Sequence, residues 1–257
     1  MRKAAVAALD EPFDDDVIKR LLAILENSED AICGSAAQAL GPIADESILW
    51  RLTDKALQSN EMARNVAAGL ALAKTETALL TLKAIMAKWP EEKNFSGYLG
   101  FLLQRLGHCD EAIDVLSKAI DKEERDAVPY LVRGFVHFAK ENYEYAMTDF
   151  RRTIVLDPNW LSPWSGLGFA LFETNHENEA TQAWWRAKSL ATGSADIFAQ
   201  LGLGLWATGN QDEALRLWRR ARTREPRFGQ DWKWMQKEEM WGPRMIEMAK
   251  ELAATCG

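Results

Sequence analysis

A chain of 257 residues with 47% apolar content can build one elongated core or one or two ordinary domains, and no stretch is polar enough to read as disordered. Thirty-one Lys and Arg against 38 Asp and Glu leave a net charge of -7, which disfavours nucleic acid as the main partner. No run of 18 apolar residues is present, so no membrane-spanning helix is expected, and three cysteines (Cys33, Cys109, Cys256) without a CxxC pair argue against a disulfide framework or zinc site and for a reducing, cytoplasmic compartment.

At the start, Met1-Arg2-Lys3 followed by Ala4 to Leu9 has the outline of a signal peptide. Its apolar stretch meets Asp10 and Glu11 after six residues, so it reads as the first helix of the fold. Three Ala-rich segments, Lys3–Leu9, Ser35–Leu40 and Asn65–Leu70, recur at steps of 31 and 30. Each precedes a longer amphipathic segment, over Val17–Leu25, Ser47–Leu57 and Thr77–Trp89. This alternation resembles the short HEAT-like repeats, including those of phycobilisome lyases. The resemblance implies paired helices over residues 1–92 and, as a lesser functional alternative, a lyase-type chaperone role with a bilin. Trp89-Pro90-Glu91-Glu92 marks the joint to a second array.

From Lys93 the period changes to 34. Ala112, Ala146, Ala180 and Ala214 keep that step, and so do Gly100, Gly134, Gly168 and Gly202. Units of two helices each then cover 93–126, 127–160, 161–194 and 195–228. The third carries Trp164, Leu167, Gly168 and Leu171 on its first helix and Ala180, Trp184 and Ala187 on its second. The fourth repeats this with Phe198, Leu201, Gly202, Leu205, Ala214, Trp218, Ala221 and Pro226; the second has Tyr130, Gly134, Ala146, Phe150 and Pro158, with Arg133 and His137 in two apolar slots. The first is the most divergent, with Ser96 in the aromatic slot. These residues closely resemble the tetratricopeptide repeat. Small residues belong where paired helices cross and large ones fill the space beside them. Asp231–Met240 and Pro243–Ala254 form a last pair over 229–257, read as a cap on the exposed end of the array. The expected fold class is therefore all-α: a right-handed α-solenoid of antiparallel helix pairs, with a short HEAT-like array, four tetratricopeptide units and a C-terminal capping pair.

At 100° per residue, positions 4, 8 and 11 of a unit share one face of its first helix, and positions 2, 5, 9 and 12 share another. The resemblance implies that the second face lines the groove where partners bind. Here it carries Phe101, Leu131, Phe135, Phe138, Phe169, Phe172, Leu203 and Trp206, an apolar seam where polar residues are usual. The expectation is a trough that holds an apolar peptide or amphipathic helix of a protein partner. Two alternatives stand beside it: tight curvature packs these side chains on neighbouring units, or a second copy of the chain covers the groove or the ends. The two-carboxylate clamp known from such grooves is missing, since Gly97, Phe101, Val132, Ser162 and Gly166 occupy its places. A basic ladder at Lys118, Arg152, Arg186 and Arg220 reads as a solvated outer face. His108 and His176 fall in turns and no catalytic, cofactor or metal constellation is legible, so no enzymatic role is expected.

Overall fold

The computed structural model describes residues 15–27, 30–190 and 193–256; the helix expected over 3–9 lies outside them. Among the described residues the secondary structure is fifteen α-helices and one 3-10 turn, with no strand. The chain divides into two compact units, Met1–Val115 and Leu116–Gly257.

The first unit contains α1 (Asp15–Asn27), α2 (Asp30–Leu40), the turn Gly41–Ile43, α3 (Glu46–Ala56), α4 (Asn60–Leu70), α5 (Glu76–Lys88) and α6 (Phe95–Leu106). The helix starts follow from local chemistry. Asp45 accepts from the Ile48 N–H, Ser59 from Met62 and Thr75 from Ala78, each satisfying an amide that the first turn leaves unpaired. Alanine content sets the layering. α2 and α4, the Ala-rich helices, pack directly on each other. A Cβ on Gly69 would stand 2.7 Å from the Ala37 carbonyl oxygen, so the two backbones meet with nothing between them. The amphipathic α1, α3 and α5 then bury Leu25, Leu52, Leu82 and Ile85 against this pair.

A helix α7 (Cys109–Lys122) runs across the division between the units. The second unit continues with α8 (Ala127–Ala139), α9 (Tyr143–Leu156), α10 (Leu161–Glu173), α11 (Glu177–Leu190), α12 (Ala195–Ala207), α13 (Gln211–Arg224), α14 (Trp232–Lys237) and α15 (Pro243–Cys256). From α8 to α13 each helix packs on the next, so the helix pairs stack in chain order as an all-α solenoid. The turn inside each 34-residue unit uses one left-handed residue at the same step: Gly107, Glu141, Asn175 and Gly209, with φ of 85°, 59°, 63° and 86°. Glycine takes this conformation freely and asparagine tolerates it, whereas Glu141 is there at a cost.

One packing device repeats. Phe150 on α9 and Trp184 on α11 each lie between two glycines from successive first helices. A Cβ on Gly134 would be 2.8 Å from Phe150 Cε1, and one on Gly166 would be 2.6 Å from Phe150 Cζ. Trp184 is held likewise: a methyl group at Gly168 or Gly204 would overlap its indole. Both rings are wholly buried, and Trp184 Nε1 donates to the Ser165 carbonyl oxygen at 3.2 Å. The glycines serve close approach here; none of the four needs a left-handed backbone.

The end of the chain departs from the repeat. α14 stops at Lys237, three residues short of the Met240 expected from the sequence, and α15 packs on α10 and α12 as well as on α13 and α14.

Candidate functional site

The seam residues fall into both compact units. Phe101 belongs to the first, where it is half-buried with the Arg105 guanidinium 5.8 Å above its ring. The other seven lie in the second. Leu131, Phe138, Phe169, Phe172 and Leu203 are buried in one apolar cluster, and Phe135 and Trp206 pack on its edge, partly exposed.

The rings meet one another. Phe135 stands edge-on to Phe150 with centroids 4.9 Å apart, and Phe138 touches Tyr143 at 5.4 Å and Phe169 at 5.9 Å. Phe169 and Phe172 both reach Trp184, at 6.3 Å and 5.7 Å. Five of the eight seam side chains are thus withdrawn from water, as rings from successive units interlock and α15 packs on α10 and α12.

α15 presents Met245, Ile246, Ala249 and Leu252 to the cluster, all buried, while Glu247, Lys250 and Glu251 face solvent. Its first turn is held by the end of α10. Glu173 accepts from the Arg244 N–H at 3.0 Å and from the Met245 N–H at 2.8 Å, which satisfies two of the amides every helix start leaves free. The Arg244 guanidinium donates to the Phe172 carbonyl oxygen and to the Glu177 carboxylate, and sits 4.6 Å from the centre of the Phe172 ring. Burial pushes the Glu173 carboxyl above its ordinary value, an effect that the two N–H donors and Arg244 offset only in part. The Tyr143 hydroxyl is pushed up to about 12, by burial and then by the negative charges of Glu173 and Glu141.

Two features of this unit are not evident from the sequence pattern. Arg133, in an apolar slot, forms a bidentate pair with Asp149 at 2.9 and 2.8 Å and donates to the Ser117 hydroxyl at 2.9 Å. The basic ladder also has a partner in each of three units. Arg152 lies 5.7 Å from the Tyr130 ring, Arg186 5.9 Å from Trp164 and Arg220 4.3 Å from Phe198. Each Arg follows its aromatic by 22 residues, and that spacing is the signal by which the stacks could be found.

His137 stacks on Tyr145 at 5.2 Å, and its pKa is lowered, first by burial, with Asp149 acting against this and Arg133 and Lys140 with it. A base with a depressed folded-state pKa binds fewer protons folded than unfolded, so acid favours unfolding. Its contribution is intact above its unfolded value of 6.5 and is lost as pH falls below it. Urea titrations from about pH 7 to about pH 5 should therefore show falling stability, and His137→Gln should flatten that slope; an identical slope in the variant would exclude this histidine as its source.

Elsewhere, His108 Nε2 lies 3.3 Å from the exposed Glu76 carboxylate, and His176 Nδ1 is 3.1 Å from the Thr174 hydroxyl. Among the described residues no group of three or more His, Cys, Asp or Glu could hold a metal ion, and no helix is long and apolar enough to cross a membrane.

No protein-family model matches the chain. Over 90 residues, 35% of its length, it is 29% identical to anaphase-promoting complex subunit 3 of Schizosaccharomyces pombe, and it spans only 13% of that protein. Among solved structures, a crystal structure of MamA is similar with a TM-score of 0.51 at 20% identity, over 65% of this chain and 94% of that one. MamA from residue 41 onward, from Desulfovibrio magneticus RS-1, gives 0.53 at 16% identity, over 70% and 94%. At such identities the likeness speaks for the fold alone. With the 34-residue signature, it makes the fold that of a tetratricopeptide-repeat array.

Proposed function

We propose that this tetratricopeptide-repeat protein is a non-enzymatic, cytoplasmic adaptor or scaffold that receives an amphipathic helix or apolar peptide of a protein partner on the seam of its leading helices. In this reading residues 93–228 are the four repeat units, 1–92 the HEAT-like pairs and 229–257 the capping pair. Phe101, Leu131, Phe135, Phe138, Phe169, Phe172, Leu203 and Trp206 are the contact residues in this reading.

The observation that carries the proposal is that part of the seam already accepts an amphipathic helix, α15, through a four-residue apolar stripe. Apolar grooves read such a helix through anchors spaced by three and four residues. The match to a subunit of a larger complex is in keeping with an interaction role, though it touches 13% of that protein.

Phe135 and Trp206 offer the cleanest test, because both belong to the seam and neither is fully buried. A Phe135→Ser/Trp206→Ser variant is expected to keep the wild-type circular dichroism spectrum and to lose the partners that the tagged wild-type protein captures from native extract. A folded variant that retains every partner would refute the proposal. A mass by light scattering that rises with concentration would instead make a second copy of the chain the occupant.

A further inference from the structure

We infer that the seam over α10 and α12 selects an amphipathic helix that opens with an arginine, and that α15 is the chain's own version of that ligand. It occupies the site until a helix of the same design displaces it. This rests on the reading of the seam as a partner site and specifies the partner's chemistry.

Three observations converge. First, the docking of α15 is two-sided in the way of a bound ligand. Met245, Ile246, Ala249 and Leu252 fall at i, i+1, i+4 and i+7 and are buried, while the outward residues are charged. Second, its first turn is read by specific groups. The carboxylate of Glu173 caps the Arg244 and Met245 amides, which any helix start can offer. Glu177, the Phe172 carbonyl oxygen and the Phe172 ring together address the guanidinium. A planar side chain with several donors meets a carboxylate, a carbonyl and an aromatic face at once, and lysine cannot do this. At Gly242, just before the helix, any side chain would strike Glu173.

Third, the attachment is long-range and its tether is strained. α15 reaches back to α10, whose end lies about two repeats earlier in sequence: Arg244 and Glu173 are 71 residues apart. It is tethered through Met240, a long side chain held at φ 57°, and a six-residue α14. Left-handed backbone at such a residue persists only while its surroundings impose it, so release of α15 relieves it. A partner helix that carries Arg followed by the same apolar stripe would form the same contacts without that tether.

The test uses the full chain and a fluorescent peptide of residues 241–256 as the probe. Arg244→Glu in the full chain sets a carboxylate against Glu173 and Glu177 and loosens α15 while the seam keeps every residue. This variant is expected to bind the peptide at least tenfold more tightly than the wild type does, and a peptide carrying the same Arg244→Glu change at least tenfold more weakly than the unchanged one. A folded Arg244→Glu chain with no gain in affinity, or indifference to the arginine of the peptide, overturns the inference. Hydrogen exchange of the wild type decides the matter should the variant fail to fold. Amides 246–252 should exchange at least tenfold faster than those of α10 to α13, and exchange at the same rate as those helices makes α15 a fixed part of the core. Failure here together with partner loss in Phe135→Ser/Trp206→Ser would leave the scaffold reading standing and remove only the role given to α15.

Discussion

Trp184→Ala is expected to lower stability by about 3–5 kcal/mol, the range for removing a fully buried large aromatic. The indole fills the space between Gly168 and Gly204, touches Phe169 and Phe172, and hydrogen-bonds the Ser165 carbonyl oxygen. Helices that approach this closely through glycine have no side chain of their own to move into the gap, so the cavity persists. Urea denaturation followed by circular dichroism measures the loss. The adjacent Trp185 is the control: it is exposed and carries Lys188 4.4 Å over its ring. Trp185→Ala should cost less than about 1 kcal/mol, the value of an exposed cation–π contact. Equal losses at the two positions would mean that the glycine-lined slot contributes nothing.

Asp149→Ala should cost about 3 kcal/mol, the lower end for breaking a buried ion pair. The lower end applies because the Arg133 side chain keeps 21% of its exposure and only that of Asp149, at 4%, is fully withdrawn from water. The bidentate bond to Asp149 raises the guanidinium pKa against the lowering effect of burial, so the cation remains and loses its counter-charge in the variant. The damage lies in the orphaned charge rather than in a lost net attraction. Arg133→Met/Asp149→Leu should accordingly recover most of the stability that Asp149→Ala loses. A double variant as unstable as the single one would show that the pair stabilises beyond what an apolar replacement supplies.

The contrast between these sites explains which features are legible in the sequence. Gly168 and Trp184 belong to ladders at step 34, and a period that long is repeated only if packing enforces it. Helix pairs, the turns at 107, 141, 175 and 209, and the small residues at the crossings all derive from that repetition. Arg133 and Asp149 break the ladder, and a single departure reveals neither its partner nor its burial. The seam is legible as a row of residues on one helix face, but its exposure is not, since that depends on rings from the adjacent helix pair and on Trp184. The return of α15 is hidden for a similar reason: periodicity describes each helix locally and carries no information about a contact 71 residues away. The Arg and aromatic stacks are within reach of the sequence, but only if the 22-residue offset is taken as a pairing of two residue types, one on each helix of a pair.

The glycine-lined slots carry a consequence for how the array can be cut. Phe150 and Trp184 each belong to two units at once, with one wall from their own helix pair and the other from the next. A boundary placed by counting from position 1, such as between residues 160 and 161, removes Gly166 and strips Phe150 of its far wall. Fragments, chimaeras and inserted units therefore keep their aromatic pegs seated only when the splice lies beyond the second glycine, so the structural module is offset from the sequence repeat.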